Sequence, residues 1–296
     1  MEAQDYYCAH LSQETDEPLY GSAPEARVWL MLEYNRPWGA KALPESDLPE
    51  AIKAHINGWT NAIDSAKFLF IRQPGQTKRE GIRFFVAITG EARPRLYAYT
   101  LASYDDLLEL DVESMVKGDP IFAASMSDEP LYLVCTNAQR DRCCALYGVG
   151  IYNELQKQVG SYVWQCTHIG GHRFAPTGVV LPHGICYGRM TPDNVSAIVH
   201  ASDTGEIALE YLRGQVAWDA PAQAADYLLR AQRGITAIDG VRLMTQTATG
   251  PDTWDMQFEV DGEKHNIRLQ KYVTDVEIYT SCFNDKKAAI EGYRLI

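Results

Sequence analysis

The order of apolar runs along this chain predicts an α/β protein made of two lobes of similar layout and a C-terminal α+β region. Three observations predict it. Short runs rich in β-branched and aromatic residues alternate with segments of helical spacing. The order strand, helix, strand, strand, strand occurs once within the first 125 residues and again after them. From residue 204 the pattern changes to helices followed by a hairpin. The expected boundaries are therefore 1–125, 126–203 and 204–296. With 296 residues, 46% of them hydrophobic, the chain can build a real core and is too apolar to be largely disordered.

Residues 1–25 are polar and punctuated by Pro18, Gly21 and Pro24, so an irregular lead-in is expected, with Cys8 a free thiol. Val28-Trp29-Leu30-Met31-Leu32-Glu33-Tyr34 is nearly all apolar, as a strand covered on both faces should be. Arg36-Pro37-Trp38-Gly39 interrupts it. Asp47 to Trp59 follows as a helix, with Asp47 at the N-cap and Leu48, Ile52, His55 and Ile56 at helical spacing. Phe68–Ile71, Ile82–Ile88 and Arg95–Tyr99 complete the unit as strands. Tyr104 to Val116, rich in acids, reads as a short helix and connector with a solvated face.

The second unit begins with the strand Leu131–Val134. An amphipathic helix from Cys144 to Val159 follows, with Leu146, Val149, Tyr152 and Leu155 on or near one face. Tyr162–Cys166, Gly178–Leu181 and Gly184–Arg189 read as strands, the last at a sheet edge with Cys186 as a packed thiol. Thr191 is expected to cap a helix through Ala201, with Pro192 at its first position and Asp193 in its first turn. A strand–helix–strand start, a hairpin and a closing helix make a thioredoxin-like order. Beyond it, Glu206–Leu212 and Ala220–Gln232 are expected as helices. Trp254–Val260 and His265–Val273 form a hairpin about Asp261-Gly262. Val276–Tyr279 adds a strand, and Cys282 stands apart as a buried or free thiol.

The formal net charge is −12 and the pI about 5.0. No Lys/Arg run grips phosphates, which argues against nucleic acid as a partner. Met1-Glu2-Ala3-Gln4-Asp5 lacks the basic and apolar regions of a signal peptide. No apolar run approaches the roughly 20 residues needed to span a bilayer. A cytoplasmic protein without membrane insertion is expected. There, seven cysteines read as thiols or metal ligands rather than a disulfide framework. The absence of GxGxxG argues against a built-in nicotinamide or flavin domain.

Cys135, Cys143, Cys144 and Cys166 fall close together, followed by His168 and His172. Cys135 lies where a strand gives way to a loop, a usual place for binding residues. On a helix, the two histidines would share a face and chelate zinc. Gly170-Gly171 lies between them, however, and each glycine costs a helix roughly 1 kcal/mol. A loop whose backbone closes on a ligand is the better reading. The plainer alternative is two hydrogen-bonded histidines. Two thiolates and two imidazoles could hold a tetrahedral zinc, or a 2Fe–2S cluster with cysteines on one iron and histidines on the other. Cys135 and Cys144 are too far apart in sequence for a short zinc-finger pattern.

The pattern CxxxxRDxxC, from Cys135 through Arg140-Asp141 to Cys144, precedes His168-Ile169-Gly170-Gly171-His172-Arg173-Phe174-Ala175. Together they resemble the sucrase/ferredoxin-like family of thioredoxin-fold 2Fe–2S proteins. Trp29-Leu30 with Arg36-Pro37-Trp38-Gly39, and Tyr187-Gly188-Arg189, extend the resemblance over residues 8–213. By position it implies Cys135, Cys144, His168 and His172 as the cluster ligands. The ligand cysteine comes three residues after Asp141, and Cys143 fills a position that is often not cysteine. Asn137-Ala138 stands where the family often has His-Gly, a departure that bears on the loop backbone more than on the ligands.

The resemblance implies a thioredoxin-like ferredoxin domain. It would be an electron carrier rather than a stand-alone enzyme, passing single electrons between a reductase and an acceptor. Neutral imidazoles in place of two thiolates raise a cluster's potential. An imidazole on ferric iron can lose its outer proton, so electron uptake can couple to proton uptake. Arg140, Asp141 and Arg173 are candidates for orienting the histidines, with an Arg140–Asp141 salt bridge as the structural alternative. The other readings are a zinc-stabilised binding module and a thiol–disulfide oxidoreductase using Cys143/Cys144 or Cys166. The lack of CxxC counts against the latter. No carboxylate pair supports glycoside hydrolysis.

Overall fold

The computed structural model describes residues 6–75, 79–283 and 285–296, so the reading of Met1–Asp5 lies outside the described residues. The lead-in contains a helix, α1 (Cys8–Glu14), too short to leave a periodic signal in the sequence. The first lobe then runs β1 (Val28–Glu33), α2 (Glu50–Ala62), β2 (Ala66–Arg72), β3 (Ile82–Ile88) and β4 (Arg95–Leu101). A 3-10 turn at Tyr104–Glu109 and α3 (Val112–Lys117) close it. The second lobe runs β5 (Leu131–Cys135), α4 (Arg142–Val159), β6 (Val163–Cys166), β7 (Gly178–Leu181), β8 (Ile185–Tyr187) and α5 (Val195–Thr204).

These strands and β9 (Leu212–Gln215) form one nine-stranded sheet, ordered β4-β3-β1-β2-β6-β5-β7-β8-β9. In the first lobe β1 and β2 are parallel, while β1–β3 and β3–β4 are antiparallel. The second lobe repeats this: β5 and β6 parallel, β5–β7 and β7–β8 antiparallel. The expected likeness of the two lobes is thus present in strand order and direction. They join through β2 and β6, which pair antiparallel with Ile71 opposite Cys166.

Strand alternation divides the core. From β1, Val28, Leu30 and Leu32 enter the cluster packed with α2, whereas Trp29 and Met31 enter a second cluster. That second cluster also takes Leu131, Leu133 and Cys135 from β5. Tyr132 and Val134, on the opposite face of β5, pack with Ile151 and Leu155 of α4. One face of both lobes therefore shares a single core, and Cys135 lies on that face.

The C-terminal region packs α6 (Ala220–Arg233) on an antiparallel sheet of β10 (Arg242–Gly250), β11 (Thr253–Val260), β12 (Glu263–Tyr279) and β13 (Lys287–Leu295). Ala224, Ala225 and Leu229 meet Met256, Phe258 and Leu269 there. Asp261 and Gly262, both at positive φ, make the expected hairpin turn. Val276–Tyr279 belongs to β12, continuous with His265–Val273 across a register shift. Among the described residues no helix is long and apolar enough to cross a membrane.

Four local expectations are corrected. Asp47 does not cap α2, which starts at Glu50 after Pro49; its carboxylate instead accepts from Tyr34 Oη at 2.7 Å and pairs with Arg36. The helix expected from Thr191 begins a turn later, because the Asn194 side chain accepts from the Thr191 N–H at 2.8 Å and holds a turn. Glu206–Leu212 is not a helix: Leu209–Tyr211 is a 3-10 turn, and Leu212 enters β9 opposite Tyr187. That pairing covers β8, so it is not an edge strand. Tertiary pairing overrides local preference here.

Candidate metal centre

Cys135 is the last residue of β5, and Cys144 lies in the first turn of α4, whose N-cap is Asp141. The helix can approach the strand end because Gly148 faces it; a Cβ there would overlap the Cys135 carbonyl oxygen. His168 lies on the loop after β6. Cys135 Sγ, Cys144 Sγ and His168 Nδ1 all fall within 4.8 Å of one another. Nδ1 is 3.9 Å from Cys135 and 4.0 Å from Cys144. Both cysteines are buried. The Cys144 S–H, aided by the His168 ring, holds Cys135 well below the usual thiol range, while the neighbouring Cys135 raises Cys144. The contact between the two sulfurs thus favours the thiolate form of Cys135, the form in which a cysteine binds a metal.

His172 occupies a different position. Its ring centroid is 5.5 Å from that of His168, but its Nδ1 sits 3.2 Å from Asp141 Oδ2 and 3.5 Å from Cys8 Sγ. Burial lowers its pKa, with Asp141 opposing. An imidazole whose Nδ1–H is held by a carboxylate presents its Nε2 lone pair to a metal. Of the three residues expected to orient the histidines, Asp141 reaches a ring, whereas Arg173 pairs with Glu17 at 2.8 Å. Cys166 is buried opposite Cys135 across the β5–β6 pairing and is raised by burial.

The histidine loop is pinned by a residue that motif reading passed over. Arg213, fully buried on β9, donates to the Gly170 carbonyl at 3.0 Å, to Ser22 Oγ at 3.1 Å and to Cys186 Sγ at 3.5 Å. Gly171, at φ +70°, lies against the guanidinium so closely that a Cβ would collide with it. The two glycines therefore serve both a left-handed turn and a close approach. Arg213 was concealed because its segment reads as the end of a helix.

Cys8 and Cys282 are free, buried thiols, as expected, and they lie together. They meet Cys143 and Asp141 in a second buried group whose ligand atoms also lie within 4.8 Å of one another. Arg140, His172, Arg173 and Phe283 line a cleft of about 940 Å³ beside the two groups.

Two curated relatives share the name "Altered inheritance of mitochondria protein 32". The one from Meyerozyma guilliermondii is 33% identical over 102 residues, covering 31% of this chain and 36% of its own. The one from Candida glabrata is 24% identical over 166 residues, covering 51% and 50%. The chain thus spans between about a third and a half of the length of these relatives. No solved structure matches. The sequence profile of the sucrase/ferredoxin-like family matches residues 19–214, which takes in both lobes, the Cys135–Cys144 segment and the histidine loop, and the chain belongs to that family.

Proposed function

We propose that the chain is an electron carrier. In this reading Cys135, Cys144, His168 and His172 hold one 2Fe–2S cluster on a thioredoxin-like unit. The carrying observation is the convergence of two buried thiols and the His168 ring at the end of β5, with a second imidazole beside it. Two soft sulfurs facing two borderline nitrogens fit a cluster of mixed ligation. Bound there, such a cluster supplies one-electron chemistry at a raised potential. The strand order β8-β7-β5-β6, with β5 and β6 parallel and the other neighbours antiparallel, supports the thioredoxin-like assignment.

The chain's own residues then have separable tasks. Cys135 and Cys144 supply thiolate from within the core. Asp141 holds the outer nitrogen of His172 and is placed to take up or return its proton. Arg213 fixes the loop that carries both rings. His172 lines the cleft with Arg140 and Arg173, so electrons from a reductase, and onward to an acceptor, pass by that edge. The other family lobe serves as scaffold. We place the carrier in the cytoplasm; the relatives' shared name links them to the inheritance of mitochondria.

A zinc-stabilised module is the second reading. It is favoured by the compactness of Cys135, Cys144 and His168, which a single tetrahedral ion would suit. Thiol–disulfide exchange is disfavoured by the burial of all seven cysteines. The deciding experiment is visible absorption and reduced-state EPR on anaerobically purified protein, with iron, sulfide and zinc assays. About two irons and two sulfides per chain, with a signal altered in His168→Cys or His172→Cys, support the carrier. A colourless protein with zinc protecting Cys135 and Cys144 supports the module and overturns the carrier.

A further inference from the structure

The second buried group is built from parts of the chain that no spacing rule connects. Cys8 comes from α1, Cys143 from the first turn of α4, and Cys282 from the turn between β12 and β13. The three sulfurs form a nearly equilateral triangle: Cys8–Cys143 3.6 Å, Cys143–Cys282 3.3 Å and Cys282–Cys8 3.5 Å. Asp141 Oδ1 lies 3.7 Å from Cys8 Sγ. We propose that Cys8, Cys143, Cys282 and Asp141 form a second metal site, holding a single tetrahedral divalent ion of the zinc class, separate from the Cys135/Cys144/histidine centre.

Geometry supports this first. With zinc–sulfur bonds near 2.3 Å, the sulfur–sulfur edge of a tetrahedron is about 3.8 Å, so the observed triangle needs only a small expansion to accept an ion. Burial supports it next. All four side chains are 0–2% exposed, so an ion held by them would be shielded from competing water. The Cys8 N–H points at Cys282 Sγ at 3.4 Å, the kind of contact that stabilises a metal-bound thiolate.

The surrounding packing makes the same point. The apolar cluster at this junction consists of Cys8, Ala9, Cys143, Ala175 and Cys282, flanked by Tyr7 and Tyr147. Three cysteines and two alanines bury little carbon surface, so they tie α1 and the C-terminal sheet to α4 only weakly by themselves. An ion bound by all three elements would fasten them. Asp141 also connects the two groups, since Oδ1 faces Cys8 and Oδ2 holds His172 Nδ1.

The test is site-resolved thiol alkylation of the full chain, read by peptide mass, with and without added zinc after chelation under reducing conditions. Zinc is expected to protect the peptides carrying Cys8, Cys143 and Cys282 together. Protection should persist in Cys135→Ser, which disables only the first centre. Cobalt added in place of zinc to Cys135→Ser should give sulfur-to-cobalt charge-transfer absorption, which Cys135→Ser combined with Cys282→Ser loses. Equal alkylation of the three with and without zinc in the wild type would overturn the proposal, whatever the variants' folding. So would a disulfide between any two of them in protein purified without oxidant. Zinc protection confined to Cys135 and Cys144 would overturn it too, while supporting the module reading of the first centre.

Discussion

Replacing Asp141 by asparagine isolates one hydrogen-bonding problem. Asp141 is fully buried, and its two oxygens serve different backbone donors: Oδ1 accepts from the Cys143 N–H at 3.0 Å and Oδ2 from the Cys282 N–H at 3.0 Å. Oδ2 also accepts from Ser281 Oγ at 2.9 Å. A carboxamide has one acceptor oxygen. In either orientation its NH₂ group therefore faces a buried backbone N–H that cannot turn away. The Ser281 hydroxyl and the His172 ring can rearrange; the backbone donor cannot. An orphaned buried donor costs about 1–3 kcal/mol, and weakening the surviving charge-assisted bond adds about 1 kcal/mol. Asp141→Asn should therefore lose about 3 kcal/mol in urea unfolding, or about 6 °C in Tm for a chain of this size. Chelator should be present in both samples so that metal binding does not enter. A loss below about 1 kcal/mol would show that the two N–H groups do not depend on this carboxylate.

Gly148→Ala should overpack α4 against the Cys135 carbonyl, costing about 1–3 kcal/mol and lowering bound metal per chain while circular dichroism stays native. Arg230→Met should cost about 3–5 kcal/mol, since it strands Asp226, fully buried and 2.7 Å from Arg230; the double change with Asp226→Leu should recover most of that. Burial lowers the pKa of His172 and His183. Above about pH 6.5 both are neutral folded or unfolded, and below it the unfolded chain binds protons that the folded chain resists. Stability of the metal-free protein should hold above that pH and fall as pH drops through the lowered values, with a shallower slope in His172→Gln. An unchanged slope in that variant would remove His172 from the account.

Much of the sheet was legible because both faces of β1 and β5 are buried, which leaves uninterrupted apolar runs. The repeat of strand order followed from those runs. β10 was not legible, since most of its side chains are exposed and no alternation marks it. The start of α4 was read two residues late, at Cys144 rather than Arg142, because its cap is Asp141, buried under a segment from the other end of the chain. For the first centre, the family resemblance pointed to Cys135, Cys144, His168 and His172, of which the fold brings the first three within 4.8 Å of one another. Cys8 and Cys282 carry no local signal: they are 274 positions apart and meet only through the docking of α1 and the C-terminal sheet. Arg213 is invisible for the same reason, its partners being the histidine loop and Ser22.

The joint between β2 and β6 bears on how such a chain could arise. Each lobe alone would leave its parallel-paired outer strand as a bare edge, an invitation to pair with whatever comes near. Here each bare edge is closed by the corresponding strand of the other lobe, in the antiparallel sense a two-fold axis requires. A half-length chain would reach the same arrangement as a homodimer, bearing identical sites on both halves. At the end of β1, where the second lobe has Cys135, the first has Glu33, whose carboxylate accepts from the Arg83 N–H at 3.0 Å. The first lobe, with a carboxylate in place of that cysteine, covers the other lobe's strand edge.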